Sequence, residues 1–346
     1  MSHIIPPELI AVRGSQDFHD YVNNNYQAQQ FLIREYQQSP ARYWLDNIKI
    51  VAKDETSLTP LDITYPAYAR AQQAYYNCLM EQWREWLMAR IDVIKARQWG
   101  GTTIGLFFMD WMVSTIPNRQ CYLVCDDDKK TMAMLQRIRS AQEHKPEWLR
   151  PEMRFDSQQM ISPKTTIDGG KSQGYILVET AGNVKLGRSL TLHGVLCSEG
   201  AYWGPKGADV MNGLRSCVPE ARYTFWMNES TGNGTAGIFY DDVQQTMKGE
   251  SDRVLFFVPW HMIDEYRIGE GERRTGMALG KEFATYEEAE VAHQKIVDHD
   301  HETMQMLQVR KQGPQVELIQ NELISVDQWM FIRWALKAKA AGDWDF

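Results

Sequence analysis

From Ile91 onward, short β-type runs alternate with helical stretches. The runs are Ile91 to Ile94, Cys121 to Cys125, Tyr175 to Val178, Leu192 to Cys197, Tyr223 to Met227 and Val254 to Val258. Helical patterns lie between several of them, notably Thr102 to Ser114 and Lys130 to Ala141. Strands alternating with helices predict an α/β fold with a mostly parallel central sheet flanked by helices. Ligands in such folds gather at the carboxyl ends of the strands. Residues just past each run are therefore the first candidates for chemistry.

The two ends of the chain read differently. The first 60 residues are helical in pattern, with Phe31, Leu32 and Tyr36 near helical spacing inside Gln27 to Gln37. A polar break at Asp54 to Pro60 precedes a second helix, Ala67 to Ala89. The stretch after Gly269 is polar and Gly-rich, then helical from Tyr286 to about Gln312 and again from Ser325, a good N-cap, to Ala341.

Composition narrows the function classes. With 346 residues, 43% of them hydrophobic, the chain can build a large core. The net charge of -8 provides no global positive field, so nucleic acid would have to be held by a local basic patch or a ring of subunits. No apolar run approaches the roughly 20 residues that cross a bilayer, and Met1 to Pro7 lacks the basic start and apolar stretch of a signal peptide. Five scattered cysteines (Cys78, Cys121, Cys125, Cys197 and Cys217) argue against a disulfide framework and predict reduced, mostly buried thiols, as in a cytosolic protein. The 8 histidines show no metal-ligand spacing. The run Asp126-Asp127-Asp128 is expected to solvate a turn and feed acidic residues into the next helix's first turn.

The segment from Ile91 to Trp111 reads as a strand, a loop with Gly100 and Gly101, and an apolar helix. Paired glycines let backbone N–H groups turn inward around an anion, and a helix starting near Thr102 adds the positive end of its dipole. Thr102 or Thr103 can present a hydroxyl to Mg²⁺, and Lys95 and Arg97 can supply cations to β- and γ-phosphates. The segment departs from G-x-x-x-x-G-K-[ST]: it lacks the leading Gly, and Gly101 stands in the lysine position. On pattern alone, an ordinary strand-turn-helix remains the other reading.

The departure has a counterpart. Lys95, Arg97, Gln98, Gly100, Thr102 and Thr103 fit K-x-R-Q-x-G-x-[ST]-T, which resembles the deviant Walker A of phage terminase large subunits, where the lysine moves to the start of the loop. Further segments follow in the same order. Pro146 to Pro151 resembles "lPxWLRP"; Gly187-Arg188-Ser189, then Ser198-Glu199 and Trp203, resemble "GRS…SExAxW"; Glu229 to Gly234 resembles the "ESTxNG" coupling motif. Pro259-Trp260 with Glu265-Tyr266-Arg267 resembles "PW…EYR", and Ser325 to Arg333 resembles "LTxEQxxxRR". The resemblance spans roughly residues 60 to 340.

It implies a RecA-like ASCE P-loop NTPase with a small helical lid subdomain. Residues 1–58 would be an N-terminal helical lid segment, 59–268 the ATPase core, and 269–346 a C-terminal helical lid and linker leading to a nuclease domain that this chain lacks. It implies ATP and Mg²⁺ as ligands, and double-stranded DNA, a portal protein and a terminase small subunit as partners. It further implies a homo-oligomeric ring when assembled, monomeric when alone, working in the host cytoplasm on a procapsid. A helicase-like DNA-stimulated ATPase and a nucleotide-holding docking module stay open as alternatives.

Roles follow residue by residue. Glu199, just past a strand, is the expected catalytic carboxylate, and Arg97 is the second catalytic candidate, as a cation for the phosphates. Lys95, Gln98, Gly100, Gly101, Thr102 and Thr103 are the expected phosphate loop. Position 198 is Ser where a Walker B motif usually has Asp, so metal holding falls on Thr102, with Ser198 as a weak helper. Gln72 or Gln73, with Gln73 preferred, is expected to read adenine through its amide. Ser230, Thr231 and Asn233 are the expected coupling residues, in a turn that follows the strand ending at Met227. Arg137, Arg139 and Arg188 are candidates for a cation acting across a subunit boundary.

Overall fold

A computed structural model describes residues 4–51, 58–62, 70–97, 99–183, 190–260, 263 and 285–299. Gln98, Arg188, the Gly-rich stretch after Gly269 and the helix expected from Ser325 lie outside the described residues, as does the part of the expected Tyr286 helix past His299.

The chain opens with four helices: α1 (Pro7–Ile10), α2 (Gln16–Asn23), α3 (Tyr26–Gln38) and α4 (Pro40–Asn47). Side-chain caps from Ser15, Asn25 and Ser39 start α2, α3 and α4 by accepting from backbone N–H groups that have no partner inside their helices. A two-stranded ribbon, β1 (Lys49–Val51) and β2 (Leu58–Pro60), replaces the end of the expected polar break. Next comes α5 (Arg70–Trp86), which ends before Ala89 because Met88 and Ala89 already belong to β3 (Met88–Lys95). The helix α6 (Gly101–Thr115) follows.

The remaining elements are β4 (Gln120–Cys125), α7 (Asp128–Glu143), β5 (Met153–Asp156), β6 (Met160–Pro163), β7 (Tyr175–Thr180), β8 (Gly194–Ser198), α8 (Gly207–Arg215), β9 (Thr224–Ser230), α9 (Ile238–Met247), β10 (Val254–Val258) and α10 (Tyr286–His299). The main sheet has eight strands in the order β10-β3-β9-β8-β4-β7-β6-β5. Pairings from β10 through β7 are parallel, and β6 and β5 add an antiparallel edge that the sequence reading did not anticipate. Thus β9 lies between β3 and β8, an arrangement that matters for the site.

Side chains alternate across the sheet. Ile91, Val93, Cys121, Leu123, Leu196, Phe225 and Met227 face one core, shared with α6. Tyr122, Val124, Val195, Cys197 and Trp226 face the other, against Val210, Met211 and Leu214 of α8. Every residue of α6 from Ile104 to Thr115 is buried. An apolar helix with no polar face must be covered on all sides, and here the N-terminal helices cover what the sheet does not. Trp44 Nε1 donates to the Phe107 carbonyl at 3.1 Å and Trp111 Nε1 to the Tyr36 carbonyl at 2.6 Å. The helices of residues 7–47 and the sheet therefore share one continuous core.

All five cysteines are buried thiols. Asp127 caps α7, accepting from the N–H groups of Lys129 and Lys130, as the acidic run predicts. Among the described residues no helix is long and apolar enough to cross a membrane.

Candidate nucleotide site

The expected loop sits where β3 hands over to α6. Gly100 has φ +82°, a left-handed conformation that favours glycine. A Cβ on Gly101 would lie 1.6 Å from the Trp99 ring. Trp99 is buried, edge-on to Tyr75 at 5.4 Å and stacked on Phe256 at 6.2 Å. The indole thus fills the space a side chain at position 101 would need, so a lysine there would have to displace it. Gln72 on α5 donates from Nε2 to the Trp99 carbonyl at 2.7 Å, so its amide is committed to holding the loop. Gln73, one residue on, is half-buried, and Arg97 is exposed.

Strand parity places the cation. Lys95 follows Ile91 and Val93 on the α6 face of β3, Ser198 follows Leu196 on the same face of β8, and Glu229 follows Phe225 and Met227 on that face of β9. These three neighbouring strand ends meet under the N-terminus of α6. Lys95 Nζ lies 2.9 Å from Glu199 Oε1 and 4.0 Å from Glu229 Oε2. Glu229 Oε1 accepts from the hydroxyl of Thr102, and from Ser198 Oγ at 3.1 Å. Glu229 is fully buried, and its Oε2 has no hydrogen-bond partner.

Charge explains the titration of the group. Burial alone would lower the Lys95 pKa, but Glu229 and Glu199 outweigh it and hold the ammonium above the ordinary lysine value. Burial pushes Glu229 above the ordinary glutamate value, and Lys95 and the Thr102 hydroxyl draw it only part of the way back.

Glu199 follows β8 as expected. It has φ 56° and ψ 41°, a left-handed conformation uncommon for a residue that is not glycine. Such strain concentrates at functional sites. The kink turns Glu199 back toward Lys95, and Ser230 Oγ lies 3.4 Å from Glu199 Oε2.

One expectation needs correction. β9 does not stop at Met227; it runs to Ser230, buried throughout. Glu229 and Ser230 are strand residues, and the turn begins only at Thr231. The polar run Asn228-Glu229-Ser230 resembles a turn by composition, but Asn228 and Glu229 have ladder partners on both β3 and β8, and Ser230 has one on β3. Thr231 pairs its hydroxyl with Tyr202 at 3.2 Å, and Asn233 donates to the Ala201 carbonyl at 3.2 Å, tying this turn to the residues after Glu199. Of the trans-acting candidates, Arg137 is exposed on α7. Arg139 is held within its own chain by Asp156 at 2.8 Å and the Ser157 carbonyl at 2.6 Å.

Glu229 is the site residue that the sequence reading left without a role. The signal was present: a carboxylate in a motif beside a strand whose usual Asp is missing.

No family model matches the sequence, and no curated protein matches it. Solved structures do. The large terminase of bacteriophage HK97 superposes with a TM-score of 0.50 at 9% identity, over 72% of this chain and 52% of that one. The chain has the fold of the phage large-terminase ATPase domain. The large-terminase ATPase domain of Thermus phage P74-26 matches at 13% identity and TM-score 0.39, over 55% of this chain and 82% of that one. A large terminase from another thermophilic bacteriophage, solved with ADP, matches at 11% and TM-score 0.42, over 61% of this chain and 50% of that one. The chain spans about half the length of the HK97 terminase and of the terminase solved with ADP. In this fold β3, β9 and β8 stand side by side, with the glycine pair following β3 and Glu199 following β8.

Among the described residues no three His, Cys, Asp or Glu side chains form a ready-made metal cluster. The donors present are instead hydroxyls and a carboxylate beside the loop of Gly100 and Gly101. That oxygen set fits Mg²⁺, which takes few protein ligands and completes its shell with phosphates and water.

Proposed function

We propose that the chain is the ATPase motor of a viral terminase, coupling ATP hydrolysis to movement of double-stranded DNA into a procapsid. The observation that carries this reading is the meeting of Lys95, Thr102, Glu199 and Ser230 around the carboxyl ends of β3, β8 and β9. The phosphates would rest on the turn from Lys95 to Thr103, with backbone N–H groups and the α6 dipole facing them. Gln73, followed by Ala74, Tyr75 and Tyr76 as in the terminase resemblance, would read adenine through its amide. Thr102, with Ser198, would hold Mg²⁺, which would supply positive charge against the charge developing on the transferred group.

The Lys95–Glu199 pair gives the cycle a logic. The cation proposed to grip the γ-phosphate is paired at 2.9 Å with the carboxylate proposed to activate water, so the two groups compete for one another. A γ-phosphate competes for Lys95 and frees Glu199 to orient the attacking water. When phosphate leaves, the pair closes again. Glu199 moves against Ser230, and the Thr231–Tyr202 contact and Asn233 lie next along the chain to carry that movement outward. Portal protein, small subunit and a ring of copies of this chain are the partners under this reading, on a procapsid in the host cytoplasm. Arg137 is the favoured trans-acting arginine, because Arg139 already has partners within its own chain.

A phosphate-release assay with and without DNA tests the proposal. Lys95→Ala and Glu199→Gln are each expected to lower turnover by on the order of a hundredfold to a thousandfold. Full activity in both would remove the site assignment. A chain that binds ATP but never turns it over, even with portal and DNA, would be a nucleotide-holding docking module instead.

A further inference from the structure

We infer that Glu229, on β9, supplies the metal-holding carboxylate that the strand before Glu199 lacks. The inference rests on the nucleotide-site reading above. It begins from an unexplained cost. Glu229 is fully buried, yet Oε2 has no hydrogen-bond partner, and its nearest cation, Lys95 Nζ, stands off at 4.0 Å. A buried carboxylate oxygen left unpaired is expensive unless a ligand completes it.

Its position indicates which ligand. Ser198 and Glu229 are register partners on adjacent parallel strands, so their side chains leave the sheet side by side on the α6 face. Oε1 gathers the hydroxyls of Thr102 and Ser198, the two oxygen donors already assigned to the metal. A serine at position 198 is too short and uncharged to anchor a divalent ion, whereas a glutamate one strand over brings charge and a longer reach. Carboxylate plus hydroxyl beside phosphate oxygens is the oxygen-only set that Mg²⁺ takes. The alternative role for Glu229 is structural: tethering the first turn of α6 through Thr102.

Glu229→Gln separates the two. Glutamine is isosteric and keeps an acceptor for both hydroxyls, so tethering survives while the charge is lost. The measurement is the affinity for ATPγS with and without Mg²⁺, together with the electron paramagnetic resonance signal of Mn²⁺ added with the nucleotide. In the wild-type chain the metal is expected to strengthen nucleotide binding. In E229Q that gain falls by roughly tenfold or more, metal-free affinity is retained, and the bound Mn²⁺ signal is lost. Adding S198D to E229Q, which returns a carboxylate to β8, restores the gain.

An E229Q chain that keeps the full metal gain overturns the inference and leaves Glu229 as a tether. A wild-type chain that binds ATPγS equally well with and without Mg²⁺ overturns it too, while the nucleotide site stands. A wild-type chain that binds no nucleotide under either condition removes the underlying reading and this inference with it. Should E229Q not fold, E229A carries the test: it removes the carboxylate, and an undiminished metal gain overturns the inference.

Discussion

Among the described residues two buried lysines have carboxylate neighbours, and they behave oppositely. Lys145 is enclosed in the core: its ammonium contacts the Tyr43 hydroxyl, Gln142 Oε1 at 2.8 Å and Asp110 Oδ2 at 3.4 Å. Asp110 in turn accepts from Gln142 and Tyr43, so the group has donors and acceptors matched on every side. Burial outweighs Asp110 and lowers the Lys145 pKa. Lys95 sits at the open ends of the strands between two carboxylates, which together raise its pKa, and one of their oxygens is left unpaired. The difference teaches how to read buried charge. A saturated network fixes packing, whereas an incomplete one beside a glycine loop is a candidate ligand site.

The sharpest way to break the comparison is to exchange outcomes between the two lysines. Lys95→Ala is expected to lower ATP turnover by on the order of a hundredfold to a thousandfold and to cost less stability than Asp110→Ala, because burial already holds Glu229 above the ordinary glutamate value and it can take up a proton once its nearest cation is gone. A large loss of stability with activity retained would reverse the roles assigned to the two groups. Asp110→Ala should do the opposite: leaving Lys145 buried without its charge partner costs about 3–5 kcal/mol, read as a lower midpoint in urea or heat. A change below about 0.5 kcal/mol would mean the core network is not closed in the way described.

Smaller effects sharpen the picture. Gly101→Lys returns the residue of the standard loop, but its Cβ would meet the Trp99 ring. Overpacking is expected to cost about 1–3 kcal/mol, and the added lysine should not rescue Lys95→Ala. Rescue would show that the cation at Lys95 is not tied to its strand position.

The smallest effect concerns pH, at a group in neither network. Burial, then the charge of Arg119, lowers the His193 pKa to about 4, and Nδ1 faces the Gln120 N–H at 3.2 Å. The unfolded chain takes up this proton near pH 6.5 and the folded chain only near 4. Stability from this group is therefore complete above about pH 6.5 and declines as pH falls toward 4. His193→Asn, which keeps an acceptor but cannot titrate, should flatten that part of the acid limb in thermal midpoints measured against pH. An unchanged limb would mean that other groups set it.

The parallel sheet and the loop were legible because their signals are local. A β-branched run, a glycine pair and an apolar helix state themselves within some twenty residues, and fully buried strands read as continuous apolar runs. Glu229 was not legible in the same way. Its role depends on β9 lying between β3 and β8, a fact of topology, and Asn228-Glu229-Ser230 reads as turn until its parallel partners on β3 and β8 are known. The β5–β6 edge was missed for another reason: Met153–Asp156 is largely exposed and Pro163 ends its partner, so neither strand carries a buried alternating pattern. The commitment of Gln72 to the loop was equally invisible, since adjacent glutamines on one helix differ only in which way the helix turns them.

The most direct test of the central claim is a crystal structure of the chain with ATPγS and Mg²⁺. The account predicts that Lys95 Nζ leaves Glu199 and contacts the γ-phosphate, with Glu199 turned toward the water in line for attack. Lys95 still paired with Glu199 while the phosphates lie elsewhere would contradict it.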